Sequence, residues 1–257
     1  MTTPLPPAGW YASPDGSPGL RWWDGARWTD DRRPIADAPP PPTAPNRLPR
    51  LSVWVRALIL ISSAAALVDL LHELAGMLGM QRYLAGDLDA YEQLVAYDER
   101  SVVLIFVWLG STLAAGIAWM IWQHRAASLV AVGLKRSPAW HAWSWVIPFA
   151  AYILPYQNVS DLWRQANTKA PAWLPLWWGL WIGGSLAGNV AGRLYATADE
   201  LDSFIRAAQL TMLGDALLIA ATPFAWLILK DLTRALTARP AAPAPWHPHA
   251  PSAGPFA

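Results

Sequence analysis

The chain has 257 residues, of which 54% are hydrophobic and 14% charged, with a formal net charge of +1. Soluble domains carry about a quarter charged residues, so this composition argues against an ordinary soluble globule, and the near-neutral balance excludes the electrostatic footprint of a nucleic-acid binder. The absence of cysteine excludes disulfides, thiolate catalysis and cysteine-held zinc or iron–sulfur centres.

Residues 7–33 are punctuated by Pro14, Asp15-Gly16, Pro18-Gly19 and Asp24-Gly25, which are turn signals. The stretches between them, Gly9–Ala12, Leu20–Trp23 and Ala26–Thr29, predict three very short strands in a meander. So small a sheet lacks an ordinary core. Trp10, Trp22 or Trp23, and Trp28 would have to supply it, at roughly 150–250 Å² per buried ring. The same rings with Tyr11 are candidates for an aromatic groove that takes a protein or Pro-rich segment. Residues 34–50, with their APPPPTAP run, read as an extended spacer. The start shows no basic-then-apolar secretory pattern.

The membrane domain is expected over residues 51–236. Apolar runs lie at Ala57–Met80 (interrupted by Asp69, His72 and Glu73), Val102–Trp122, Pro171–Gly192 and Ala207–Leu229. Each is close to the ~20 residues that a spanning helix needs. Acidic loops are expected between the first two runs, up to Arg100, and over Arg193–Arg206. The 18 tryptophans suit membrane–water interfaces, since an apolar ring carries one polar N–H. The Pro/Ala-rich tail, 237–257, reads as disordered. The fold class is therefore mainly α: a polytopic helical bundle of about four firm spans plus one Pro-broken segment, preceded by a very small three-stranded β domain.

That broken segment, Trp140–Tyr156, carries Pro148 and Pro155, each of which removes a backbone donor. It either crosses as a kinked helix or dips in and returns. Lys and Arg favour the cytoplasmic side. Arg47, Arg50 and Arg56 put the N-terminus inside, and only the dip-and-return path keeps Arg164, Lys169, Lys230 and Arg234 there too. The expected location is the cell membrane, with both termini cytoplasmic.

Several groups carry possible chemistry. Ionisable residues within spans are functional candidates, which singles out Asp69 and Asp215, with Asn189 as a polar neighbour in type. Arg125, Arg136 and Arg164 are candidates for holding an anionic lipid headgroup. Gly184, Gly188 and Gly192, spaced by four, share a helical face and suit close helix packing or self-association. No phosphate loop, His-Glu-x-x-His or Gly-x-Ser-x-Gly is present. No catalytic, cofactor or metal site is expected, and the chain is read as non-enzymatic.

Two stretches resemble known families. Pro7, Gly9-Trp10-Tyr11, then Leu20 through Gly25, Trp28 and Thr29, resemble the small actinobacterial domain-of-unknown-function family numbered 2510, with Ala12 in place of the usual Pro. Arg125, Val132-Gly133, Arg136-Ser137-Pro138-Ala139-Trp140, Trp145 to Pro148, Pro155-Tyr156-Gln157 and Leu162-Trp163-Arg164 resemble the family numbered 4328. Ser128 and Ala151 stand where its members often carry Asn. This second resemblance covers roughly residues 100–232 and implies a polytopic membrane domain without assigned activity. The leading functional expectation is a membrane-anchored interaction or scaffold protein presenting its small domain. The alternatives are a small transporter or channel using the intramembrane Asp residues, and an accessory subunit of a membrane complex.

Overall fold

The computed structural model describes residues 6–17, 19–33 and 47–238. Residues 239–257 of the expected tail and 34–46 of the expected spacer lie outside the described residues, while Thr237 is helical rather than part of the tail. The chain divides into two compact units, Met1–Asn46 and Arg47–Ala257.

The first unit is a three-stranded antiparallel sheet in the order β1 (Gly9–Ala12), β2 (Leu20–Trp23) and β3 (Trp28–Arg33). The third strand starts two residues later than expected and runs on to Arg33. Thr29 is not its end, because the β2–β3 ladder continues through Arg21–Arg32 and Leu20–Arg33 after an irregularity between Arg21 and Trp23. Successive side chains on a strand point to opposite faces, and the rings sort accordingly. Tyr11, Trp23 and Trp28 meet edge to face, with Trp23–Trp28 centroids 5.2 Å apart. Trp23 is 5% exposed, and its indole donates to the Pro6 carbonyl at 3.0 Å. Trp10 and Trp22, paired across the strands, form a second, half-buried aromatic pair at 5.3 Å. Asp15 folds the β1–β2 turn by accepting from the Ser13 and Ser17 hydroxyls and the Ser17 amide. Those bonds hold its carboxyl well below the usual range.

The second unit is helical. Helix α1 (Leu48–Leu84) has 37 residues and α2 (Ala90–Ser128) has 39. At 1.5 Å per residue they are about 55 and 58 Å long, well beyond the ~30 Å hydrocarbon core. The expected acidic loop up to Arg100 is therefore mostly helix. Only Ala85–Asp89 forms the turn, and Glu92, Asp98 and Glu99 ride on the first turns of α2. The same holds at the other acidic stretch, where α5 (Leu174–Thr197) and α6 (Leu201–Leu227) leave a connection of three residues. Helix α6 contains Pro223 and passes through a π turn, Ile228–Leu232, into the short α7 (Thr233–Thr237).

Helix α1 packs on both α2 and α6, and α5 packs on α6. Among the described residues, three helices are long and apolar enough to cross a membrane: α1, α2 and Leu201–Thr237. Only 6% of the most apolar window of α2 is buried. Val102, Ile105, Phe106, Leu113 and Ile117 point outward, an apolar surface of the kind that lipid covers. Helix α5 has 24 residues, long enough to cross, but Trp and Gly dilute its hydropathy and it is not among the three.

The Pro-broken stretch forms no long helix. It is a six-residue α3 (Pro138–Trp143), a 3-10 turn at Ala150–Tyr152 and a 12-residue α4 (Leu154–Gln165). Pro155 sits in the first turn of α4, where its missing N–H costs nothing. Phe149, before the 3-10 turn, has φ of 61°. The stretch closes on itself. The Lys135 amide donates to Asp161 Oδ2 at 2.9 Å, Arg136 donates to Gln157 at 2.7 Å and Asn158 at 3.3 Å, and the Gln165 side chain donates to the Gly133 carbonyl. Residues 133–136 and 157–165 are thus neighbours, and the segment between them leaves and returns to one end.

Candidate functional site

Two layers of side chains distinguish the bundle. At one end, where Leu48, Trp122, Leu174 and Leu236 lie, the interior is closely packed. Ser52 donates to the Leu229 carbonyl at 3.1 Å, answering a carbonyl of the π turn. The Trp122 indole donates to Thr233 at 3.0 Å. Above this, Trp119 stacks near Trp177 at 5.8 Å and Trp145 meets Trp181 edge-on at 5.2 Å. Gln123 Oε1 accepts from both the Trp119 and Trp145 indoles, at 2.9 and 2.8 Å. The broken segment thereby places Trp145 inside the bundle as part of a tryptophan floor.

At the other end lies an acid layer. Asp69 on α1 and Asp215 on α6 lie close enough for their carboxyls to interact, and Trp108 of α2 lies beside Asp215. Asp215 is 3% exposed, and its Oδ2 accepts no bond from a fixed donor. One turn further along α1, Glu73 Oε2 accepts from Tyr97 at 3.2 Å and from Tyr195 at 2.5 Å, joining α2 and α5 to α1. His72 stacks on Tyr97 at 4.4 Å and its Nε2 lies 2.8 Å from Ser101 Oγ. Ser101 donates to the Tyr97 carbonyl, so the imidazole N–H is the natural donor to it. Among the described residues no group of three His, Asp or Glu is arranged to hold a metal ion.

Between floor and acid layer is a cavity of about 370 Å³, lined by α1, α2, α5, α6 and, from the broken segment, Trp145 and Val146. Its polar groups are Ser62, Ser63, Thr112, Thr222 and the indoles. Ser62 and Thr112 bond to each other at 3.0 Å.

The other sequence candidates fare differently. Asn189 does not join the acids: it is exposed and donates to the Ser185 carbonyl of its own helix at 2.7 Å. Gly184 is pressed against α6, where an added Cβ would lie 2.9 Å from the Gly214 carbonyl. A Cβ at Gly188 or Gly192 would meet nothing. Arg136 is tied to α4 as described, and Arg164 pairs with Asp161, so two of the three arginines brace the hairpin; Arg125 is exposed on α2. Sequence reasoning missed Trp108, Tyr97, Tyr195 and Gly214. The spacing of Asp69 and Glu73, four apart on one helix face, was the available signal for a layer rather than a single acid.

A bundle with three long apolar helices, two contacting carboxyls in its interior and a tryptophan-floored cavity defines a helical protein built for a membrane environment. The family model described as a domain of unknown function, DUF4328, matches residues 86–248, and the chain belongs to that family. A second model, described as a protein of unknown function, DUF2510, matches residues 8–42. No curated protein and no solved structure matches the chain.

Proposed function

We propose that this chain is a multi-pass membrane protein that exchanges a proton for a cation at the Asp69–Asp215 pair. Four helices, α1, α2, α5 and the α6–α7 rod, would cross, and the α3–α4 hairpin would dip in and return. Both termini would face the cytoplasm of a cell membrane. The hairpin's closed base, Lys135 on Asp161, supports the return path, and Arg56, Arg125, Arg136, Arg164 and Lys230 then share one side. The observation that carries the reading is the meeting of two carboxyls from α1 and α6 within apolar helices. Asp215 lies about 13 Å along its helix from Arg206, and Trp108 about 12 Å from Arg100, which sets the pair roughly two fifths of the way across a ~30 Å hydrocarbon core. Charges at such depth are expensive and persist where they act on ions or protons.

Two carboxyls side by side in an apolar interior cannot both carry a charge cheaply, so the pair holds one proton. An arriving cation replaces that proton: one O–H bond breaks, the proton leaves to water, and the net charge of the site is unchanged. The test is flux in proteoliposomes carrying an internal pH dye and an imposed proton gradient. External Na⁺, K⁺ or an organic ammonium ion should collapse the gradient in the wild type and not in Asp215→Asn. Equal rates in both proteins for every cation would remove the reading.

The scaffold reading has its own support in the half-buried Trp10–Trp22 pair, an aromatic surface apart from the buried Trp23. Binding of a polyproline peptide to the full chain, lost in Trp22→Ala, is its test. Gly188 and Gly192, with open space where a Cβ would stand, leave room for a second helix, as a subunit of a complex requires. Neither role involves catalysis.

A further inference from the structure

The cavity beneath the acid layer has a composition of its own. Its walls are apolar, its floor carries Trp119, Trp145, Trp177 and Trp181, and its volume is about 370 Å³, inside the ~300–1,000 Å³ range of small-molecule pockets. A bare Na⁺ or K⁺ has no use for this space. Such ions need several oxygen ligands, and the hydroxyls here are few; Ser62 and Thr112 already answer each other.

We infer that the cavity takes a lipophilic organic cation, with its apolar or aromatic body on the tryptophan floor and its charge toward Asp69 and Asp215. This rests on the exchange reading above and names the class of cation exchanged. Three observations converge. Trp108 belongs to both places, lining the cavity while lying beside Asp215. The acids stand within one helical turn of the cavity wall, Asp69 three residues after Ala66 on α1 and Asp215 three before Leu218 on α6, about 4.5 Å along each axis. Asp215 is almost wholly buried with an unanswered Oδ2, so a cation arriving there meets an acceptor with no fixed donor. Indole faces add attraction for a cation that a purely aliphatic pocket lacks. Leu113 and Ile117, on the α2 side of the cavity, are more than half exposed, giving an amphiphile dissolved in lipid a way in.

The probe is tetraphenylphosphonium, measured on the full chain in detergent by equilibrium dialysis against empty micelles, with tetraphenylborate as a control of like shape and opposite charge. The cation should bind at one site per chain, quench Trp fluorescence and release close to one proton in weakly buffered solution. Its affinity should fall about tenfold per pH unit on the acid side, because proton and cation compete. Asp215→Asn should abolish both binding and proton release. Gly116→Leu, at a cavity-lining position where an added Cβ meets nothing, should fill the space, keep the fold and lower affinity at least tenfold. Equal binding of the borate ion would show that the cavity holds any lipid-soluble body, acyl chains included, and would overturn the inference. So would Na⁺- or K⁺-driven exchange that tetraphenylphosphonium fails to inhibit, a result that leaves the exchange reading standing. Phosphonium binding with proton release but without flux in liposomes would keep the ligand class and remove transport.

Discussion

The two ends of the helical unit solve opposite problems. At the tryptophan end, rings and leucines fill the interior, and Trp122, Leu162, Ile228, Leu229 and Leu232 are wholly buried. Toward the acid end the helices enclose a cavity, and beyond it Glu73, Tyr97 and Tyr195 tie α1, α2 and α5 together. In lipid there is little hydrophobic drive for helices to associate, so van der Waals packing and interhelical hydrogen bonds do the holding. Under the exchange reading proposed above, stability belongs to one end and ligand chemistry to the other. Substitutions should separate the two.

The largest effect is expected at Trp122. Its replacement by Ala leaves a hole beside Trp119 in the buried cluster that also holds Ala126 and Leu232, and strands the Thr233 hydroxyl that its indole bonds. A loss of about 3–5 kcal/mol is expected, read as a collapse of the melting temperature in detergent. Proton release by an organic cation should survive in whatever fraction stays folded. A small loss there would break the assignment of stability to this end.

Next comes the glycine contact. Gly214→Leu forces a side chain against the Gly184 carbonyl, where a Cβ alone would lie at 3.1 Å. Overpacking of this kind costs about 1–3 kcal/mol, and here it also spreads α5 from α6. Gly188→Leu, by contrast, adds a side chain to open space and should leave the melting temperature within a degree or two. Equal losses from the two would mean that α5 turns a different face to α6.

Much of this contrast could be read from the residues, and the rest fails for physical reasons. The apolar runs, the three strands and the proline break follow from local pattern. The acidic stretches look like loops in the sequence because hydropathy marks only the part of a helix that meets lipid; Glu92, Gln93, Leu94 and Glu99 are good helix formers, and α2 simply continues past the apolar slab. Asp69 and Asp215 each stood out as acids in apolar runs. Their meeting did not, because it depends on α1 packing against α6, a long-range contact that no periodicity encodes. Gly184 was visible in a spaced-by-four pattern, but which of its three members packs depends on where Gly214 falls on the facing helix. Asn189 looked suitable by type and is turned the wrong way.

A smaller effect is expected at the hairpin base. Asp161 is 2% exposed and accepts from the Lys135 amide while pairing with Arg164. In Asp161→Asn the charge is lost and one amide N–H₂ must find acceptors in a buried place. The expected cost is about 1–3 kcal/mol, and it should be local. Hydrogen exchange should quicken in residues 133–165 and stay unchanged in α1 and α6. Uniform quickening throughout would show that the hairpin is an integral part of the packed end rather than a segment latched onto it.

The smallest effect tests the acid end from within. Tyr195→Phe removes one of the two hydroxyls that Glu73 Oε2 accepts, and leaves the Tyr97 bond in place. Hydrogen bonds between helices in lipid are worth about 0.6 kcal/mol on average, so the melting temperature should hardly move. Function should respond more, because Glu73 is one turn from Asp69 and its charge is then less satisfied by the protein. A cation at the Asp pair would gain a nearby acceptor, and phosphonium affinity should rise two- to threefold while the pH at which proton and cation compete shifts with it. A stability loss as large as that at the glycine contact, with affinity unchanged, would place the Tyr195–Glu73 bond among the structural ties and move the boundary between the two ends up past the acid layer.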